Sequence, residues 1–151
     1  MFEGFGGILD LSLRMVAAVL LGGVVGIERR IHGRWADMRT HMLVALGAAT
    51  FVVLALSTVT NGEERDPSTI IQGIAAGIGF LGAGTILKLT DQMEVKGLTT
   101  ASAIWLSAAV GTAAGLAQYQ VAVVATVVSL IVLLCFRPIE KRFEAPEERH
   151  D

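Results

Sequence analysis

The sequence has little cysteine and little charge. Cys135 is the one cysteine among 151 residues, so neither a disulfide framework nor a multi-cysteine metal site is available. Charged residues make up 17% of the chain and the formal net charge is -2, which leaves no basic surface of the kind that nucleic-acid binding requires. The chain is instead 53% hydrophobic, with a mean hydropathy of +0.63. This balance is typical of an integral membrane protein, because a soluble domain of this size spreads charge over its whole surface.

Five apolar segments have about the length that crosses a bilayer, ~17 to 25 residues. They cover residues 8–27, 42–58, 69–87, 98–116 and 121–136. Residues 98–136 carry no charge and are too long for one helix at ~1.5 Å per residue, so the chain has to turn between Gly115 and Gln120. Asp66 followed by Pro67 predicts a cap and a first-turn proline for the third helix. The predicted fold is all-α, a polytopic bundle of five transmembrane helices.

Basic residues predict the orientation, because cytoplasmic loops are enriched in Lys and Arg. Ten of the twelve basic residues fall on one side of the five predicted spans: Arg29, Arg30, Arg34, Arg39, Lys88, Lys96, Arg137, Lys141, Arg142 and Arg149. We therefore expect the N-terminus outside and the C-terminus in the cytoplasm. No cleaved signal peptide is expected, since no Lys or Arg precedes the first apolar run. We expect a transmembrane domain over residues 1–137 and a short charged cytoplasmic tail over residues 138–151.

The third segment is rich in glycine for a spanning helix. Its glycines are Gly73, Gly77, Gly79, Gly82 and Gly84. Small residues let membrane helices pack closely, and broken helices are tolerated where they face protein or a cavity. The segment is therefore either a close-packing surface or an unwound stretch that faces an ion. Glycines four residues apart occur here, at Gly73 and Gly77, and also in the first and fourth segments, at Gly22 and Gly26 and at Gly111 and Gly115. Packing within one subunit is the preferred interpretation of all three pairs.

No enzyme or nucleotide site is predicted. Gly77, Gly79 and Gly82 spell G-x-G-x-x-G, but the dinucleotide fingerprint needs a preceding strand and an acidic residue about 20 positions further on, where this chain has Ser102. No nucleophile is accompanied by a base. His41 has no second histidine or cysteine at a metal-ligand spacing, so no metal site is expected.

Two groups of polar residues lie in or next to the predicted spans. Asp10 and Arg14 are four residues apart on one helix face, which predicts an ion pair at the outer end. A second group stands between the first two spans: Glu28, Arg29, Asp37, Arg39, Thr40 and His41. Polar side chains at that boundary are expected to cap helices or to bind an anion, and an ordinary positive-inside loop is the alternative.

Separated motifs occupy residues 26–29 (GIER), 36–41 (ADMRTH), 77–84 (GIGFLGAG), 97–101 (GLTTA) and 104–105 (IW). In this order they resemble the motifs of the MgtC/SapB family of bacterial inner-membrane proteins. The resemblance extends from about residue 13 to residue 137 and implies a five-helix membrane domain. Gly97, Thr99 and Thr100 belong to its GLTT motif. The family often has Gly and Leu where this chain has Asp37 and Met38, and an arginine where it has Thr69.

The resemblance also implies a function. Members are linked to adaptation to low magnesium, and some bind and restrain the membrane-embedded ATP synthase; longer members carry a further cytoplasmic domain, so this chain is similar to the short form. We expect a non-enzymatic regulatory protein of the inner membrane that acts by helix contacts in the bilayer, on itself as a homo-oligomer, most simply a dimer, or on a partner. No cofactor is expected, although Mg²⁺ is possible. The alternative is a transporter of an ion, such as Mg²⁺ or another cation, or of a small solute, that uses a glycine-rich, broken third helix.

Overall fold

The computed structural model describes residues 5–31, 33, 36–58, 66–89 and 94–136. Within these residues the chain forms five α-helices and one short antiparallel hairpin. The helices are α1 (Phe5–Ile31), α2 (Met38–Ser57), α3 (Pro67–Ala83), α4 (Leu98–Gly115) and α5 (Tyr119–Cys135), and the strands are β1 (Leu87–Leu89) and β2 (Glu94–Lys96). The predicted tail, Arg34 and the loop at 61–65 lie outside the described residues.

Membrane-spanning helices account for most of this architecture. Three helices are long and apolar enough to cross a bilayer, over Gly6–Ile31, Met38–Ser57 and Leu98–Gly115. The other two, α3 and α5, are apolar helices of 17 residues each. The prediction of an all-helical membrane bundle is therefore confirmed in its general form.

Helix ends follow local sequence signals. Asp66 accepts hydrogen bonds from the N–H and the hydroxyl of Ser68, and Pro67 occupies the first turn of α3, as predicted. The Ser68 hydroxyl and then its N–H lower the pKa of the Asp66 carboxyl. The turn between α4 and α5 includes Ala117, whose φ is +58°. It thus lies inside the interval predicted from the length of the charge-free run.

The third apolar segment ends earlier than predicted. We expected it to continue to residue 87, but α3 ends at Ala83. Leu87 is instead the first residue of β1, where it pairs with Lys96 of β2. Gly97 explains the tight return into α4, because its φ is +99° and a side chain there would meet the Thr85 carbonyl. Apolar composition continues through Leu87, so hydropathy alone did not reveal the change to a strand.

The core lies where α1, α2 and α4 meet. Ala18, Ala45, Ala49 and Ala114 form its buried centre. Gly111 of α4 approaches Ala45 and Gly115 approaches Ala49, so α2 is parallel to α4. Gly22 of α1 approaches Ala45 and Gly26 approaches Met38, so α1 is antiparallel to both. We call the end where α1 finishes and α2 and α4 begin the basic end. The other is the opposite end.

Candidate functional site

Glycine allows the three core helices to approach closely. A Cβ on Gly22 of α1 would lie 2.7 Å from the His41 carbonyl oxygen, and one on Gly26 would lie 2.6 Å from the Met38 Cα. On α4, a Cβ on Gly111 would meet the Ala45 carbonyl, and one on Gly115 would lie 2.9 Å from the Ala49 Cα. These four glycines therefore serve packing within one chain, the interpretation preferred from sequence.

His41 stands at the centre of the basic end. It is fully buried, and its Nδ1 lies 2.8 Å from the Ser107 hydroxyl on α4. The same hydroxyl donates to the Ala103 carbonyl at 3.0 Å. Which of the two groups donates depends on the tautomer of the imidazole ring. The other ring nitrogen, Nε2, is also buried.

Two charged residues of α1 are buried beside this histidine. Glu28 is 6% exposed and Arg29 is 3% exposed, and Arg29 Nη1 lies 3.7 Å from Glu28 Oε2. Because removing one member of a buried ion pair is strongly destabilising, loss of either charge should destabilise the end of α1. At the same end of the bundle, His41 and Ser107 join α2 to α4.

The remaining members of the predicted polar cluster face outward. Asp37 caps α2 by accepting from the Thr40 N–H at 3.2 Å and from the Thr40 hydroxyl at 3.3 Å. The Thr40 N–H contributes most to lowering the pKa of Asp37. Arg39 is exposed, one turn before Leu43. The predicted cluster therefore divides into a buried group and an exposed group.

The opposite end contains a second link between helices. Arg14 Nε donates to Asp10 Oδ2 at 2.8 Å, which is the predicted pair, and Arg14 Nη1 donates to the Gly115 carbonyl at 2.8 Å. Arg14 is only 9% exposed, so the side chain turns into the bundle. A cation at the C-terminus of α4 also complements the negative end of its helix dipole.

The glycines of α3 have different surroundings from those of the core. A Cβ on Gly73, Gly77 or Gly79 would meet nothing within 4 Å, whereas one on Gly82 would lie 3.6 Å from the Ala101 Cβ of α4. Gly84 follows the last helical residue and is exposed. The backbone is helical throughout Pro67–Ala83, so the unwound third helix that a transporter would use is not observed.

Other predicted residues have structural positions. In the GLTT motif, Gly97 precedes α4 with its positive φ, Thr99 is exposed and Thr100 is 5% exposed. Among the described residues, no three His, Cys, Asp or Glu side chains are grouped as a metal site would need. Ser107, which the sequence analysis did not single out, is the main addition. Its signal is weak, since it is one hydroxyl in an alanine-rich helix.

Comparison with known proteins is consistent with this architecture. The MgtC family model matches residues 15–142. Protein SrpB of Synechococcus elongatus is 38% identical over 142 residues, which cover 88% of this chain and 78% of SrpB. Protein MgtC of Salmonella typhimurium is 42% identical over 130 residues, and Protein MgtC of Brucella abortus is 44% identical over 130 residues. The chain spans about half the length of these MgtC relatives, 54% and 52%. No solved structure matches it.

Proposed function

The chain belongs to the MgtC family, and from this membership we propose that it is a non-enzymatic, multi-pass protein of the bacterial inner membrane that acts through helix contacts in the bilayer. Its cellular role would be adaptation to low magnesium. In this proposal all five helices cross the membrane, because 17 residues of α3 or α5 extend ~25 Å, close to the ~30 Å hydrocarbon core. The basic end faces the cytoplasm, in accordance with the positive-inside rule.

One observation carries the proposal: α3 presents a face of small residues that the described part of the chain leaves exposed. Gln72, Ala76, Gly79 and Ala83 are all exposed, and their spacings of four, three and four residues place them on one side of the helix. Phe80, beside this face, is 88% exposed. We call these four residues the outer α3 face.

Such a face favours another helix over lipid. Small side chains let two backbones approach closely, and an amide such as that of Gln72 can form an interhelical hydrogen bond that lipid tails cannot offer. Gly111 and Gly115 make the same kind of contact inside this chain. We propose a second copy of the chain as the first partner, and the membrane sector of ATP synthase as the partner that the family resemblance implies.

Gly79→Leu tests the proposal. Because a Cβ at Gly79 would meet no described atom within 4 Å, the monomer should fold, while close approach of a second helix should be blocked. The measurement is energy transfer between labelled copies in lipid vesicles, together with growth of the corresponding strain at low magnesium. We expect both energy transfer and growth to fall.

Two controls make the result interpretable. Gly6→Leu places the same side chain in open space on α1, away from the outer α3 face, and should leave association unchanged. Gly82 is unsuitable, since a leucine there would press on Ala101 of the same chain. If Gly79→Leu associates and supports growth as the wild type does, helix contact through the outer α3 face is wrong.

A further inference from the structure

A groove runs between α2 and α3, on a different side of α3 from the outer α3 face. Its volume is about 790 Å³. Leucine, isoleucine, phenylalanine, valine, alanine and glycine line most of it, and the only two lining residues with a hydroxyl are Thr58 and Thr69, at the end away from the basic residues. In a bilayer this groove opens to hydrocarbon, so its occupant must be apolar along most of its length.

The described side chains of the protein leave this groove empty. Gly47 of α2 and Gly73 and Gly77 of α3 line it, and a Cβ on any of them would meet nothing within 4 Å. An apolar void of this size forfeits dispersion contacts along both walls. In the membrane, lipid or protein therefore fills it.

Its dimensions favour acyl chains over a helix. The wall from Leu43 to Thr58 is ~20 Å long at 1.5 Å per residue. A volume of about 790 Å³ over this length corresponds to a mean cross-section of roughly 40 Å². A helix with side chains is ~10 Å wide and occupies ~80 Å². A methylene chain, with carbon contacts near 4 Å, occupies roughly 15–20 Å², so two chains fit side by side.

Positive charge at the basic end favours an anionic lipid headgroup. Arg39 is exposed and lies one helical turn before Leu43, on the face of α2 that lines the groove. Among the described ion pairs, Arg14–Asp10 and Arg29–Glu28, Arg39 takes no part. Asp37 is the opposing carboxylate: it caps α2 at Thr40, and the charge of Arg39 also contributes, after Thr40, to lowering its pKa. The hydrogen bonds to Thr40 hold the Asp37 carboxylate at the helix start, and no ion pair between it and Arg39 is formed among the described residues. The N-terminus of α2 adds the positive end of a helix dipole.

We propose that the α2–α3 groove binds one anionic phospholipid from the leaflet at the basic end, with its two acyl chains between the helices and its phosphodiester at Arg39. This site depends on the membrane placement proposed above but not on the contact at the outer α3 face. It also gives Gly47, Gly73 and Gly77 a common role, since larger side chains at these positions would fill the groove.

Photolabelling tests the groove directly. The full chain is reconstituted in phosphatidylcholine vesicles that contain phosphatidylglycerol with a photoreactive group in one acyl chain, and the labelled residues are mapped by mass spectrometry. We expect labels to concentrate on the α2 and α3 residues that line the groove. Gly73→Leu should reduce them severalfold, and Gly77→Leu provides a second variant of the same kind.

Gly79→Leu is the matched control, because it adds the same side chain to α3 outside the groove. It should keep the groove labels even if it abolishes association, so the two proposals fail separately. Helix content measured by circular dichroism verifies that each variant is folded. Labels spread evenly over all lipid-facing helices, or unchanged in both folded groove variants, would overturn the lipid site.

Competition identifies the headgroup. Unlabelled phosphatidylglycerol should displace the probe better than phosphatidylcholine does, and Arg39→Gln should reduce this preference about fivefold, the effect of one basic side chain near an anionic surface. Equal competition by both lipids in the wild type would refute the anionic headgroup. Crosslinks from the groove to a second copy of the chain, in place of lipid, would assign the groove to a protein.

Discussion

The core glycines and the α3 glycines have the same spacing but opposite surroundings. Gly111 and Gly115 of α4 touch the backbone of α2, as Gly22 and Gly26 of α1 do. Gly73 and Gly77 of α3 face an open groove. A glycine pair four residues apart therefore indicates that close approach is possible, and does not indicate whether its partner belongs to the same chain.

Polar contacts differ between the two regions in the same way. The core is connected by His41–Ser107 at the basic end and by Arg14–Gly115 at the opposite end. On α3, the described side-chain hydrogen bonds are confined to the two ends, at Ser68 and Thr85. Side-chain contacts within the chain therefore hold the core helices together. In contrast, α3 is positioned mainly by its contact with α4, and its other faces are exposed.

The largest expected change in stability comes from adding one methyl group to the core. In Gly111→Ala the new Cβ would meet the backbone carbonyl of Ala45, which cannot move without shifting α2. We expect a loss of about 3 kcal/mol of stability, the upper end of the usual cost of overpacking. In Gly77→Ala the methyl group enters open space, so stability should be unchanged or rise by up to ~1 kcal/mol from helix propensity.

Thermal unfolding of both variants in the same detergent checks this contrast. Equal stability of Gly111→Ala and Gly77→Ala would show that the close contact between α2 and α4 is absent in the membrane. The division of the molecule into a closed core and an open third helix would then have to be abandoned.

A smaller loss of stability is expected when Arg14 is replaced. Arg14→Leu removes a buried, charge-assisted hydrogen bond to Gly115 and leaves that carbonyl without this donor, which should cost ~1.5 to 3 kcal/mol. Arg14→Lys keeps a positive charge near the end of α4 and should lose less. Unfolding midpoints give the ranking, and a leucine variant as stable as the wild type would mean that Arg14 extends to the lipid headgroups.

The smallest loss of stability is expected when a single hydroxyl, that of Ser107, is removed. Ser107→Ala removes the hydrogen-bond partner of His41 Nδ1 and should cost ~1 to 2 kcal/mol, because the buried ring nitrogen then lacks this bond. Ser102→Ala is the control, since Ser102 is exposed and bonds the Leu98 carbonyl of its own helix. The ¹⁵N spectrum of His41 supplies a second measurement: the Nδ1 resonance should shift in Ser107→Ala and stay in place in Ser102→Ala, and an unshifted resonance in both would show that His41 and Ser107 are not hydrogen-bonded.

Much of the fold could be predicted from the sequence. The five apolar segments, the Asp66–Pro67 start of α3 and the turn after Gly115 depend on local hydropathy and capping, and each corresponds to an observed element. Hydropathy could not predict the hairpin, because an apolar residue such as Leu87 is compatible with a helix as well as with a strand. The sequence indicated Asp10 as a partner of Arg14 but not the contacts that Arg14 and His41 make with α4, because Gly115 and Ser107 lie 101 and 66 residues away along the chain.

The sequence by itself determined that this is a helical membrane protein of the MgtC type, since hydropathy, charge placement and family motifs are properties of short segments. Tertiary structure decided which glycines are enclosed and which are open, and which charges turn inward. The physical reason is that lipid tails and apolar side chains are nearly equivalent surroundings for a helix. An apolar or small-residue face therefore does not specify its partner until the other helices are in place.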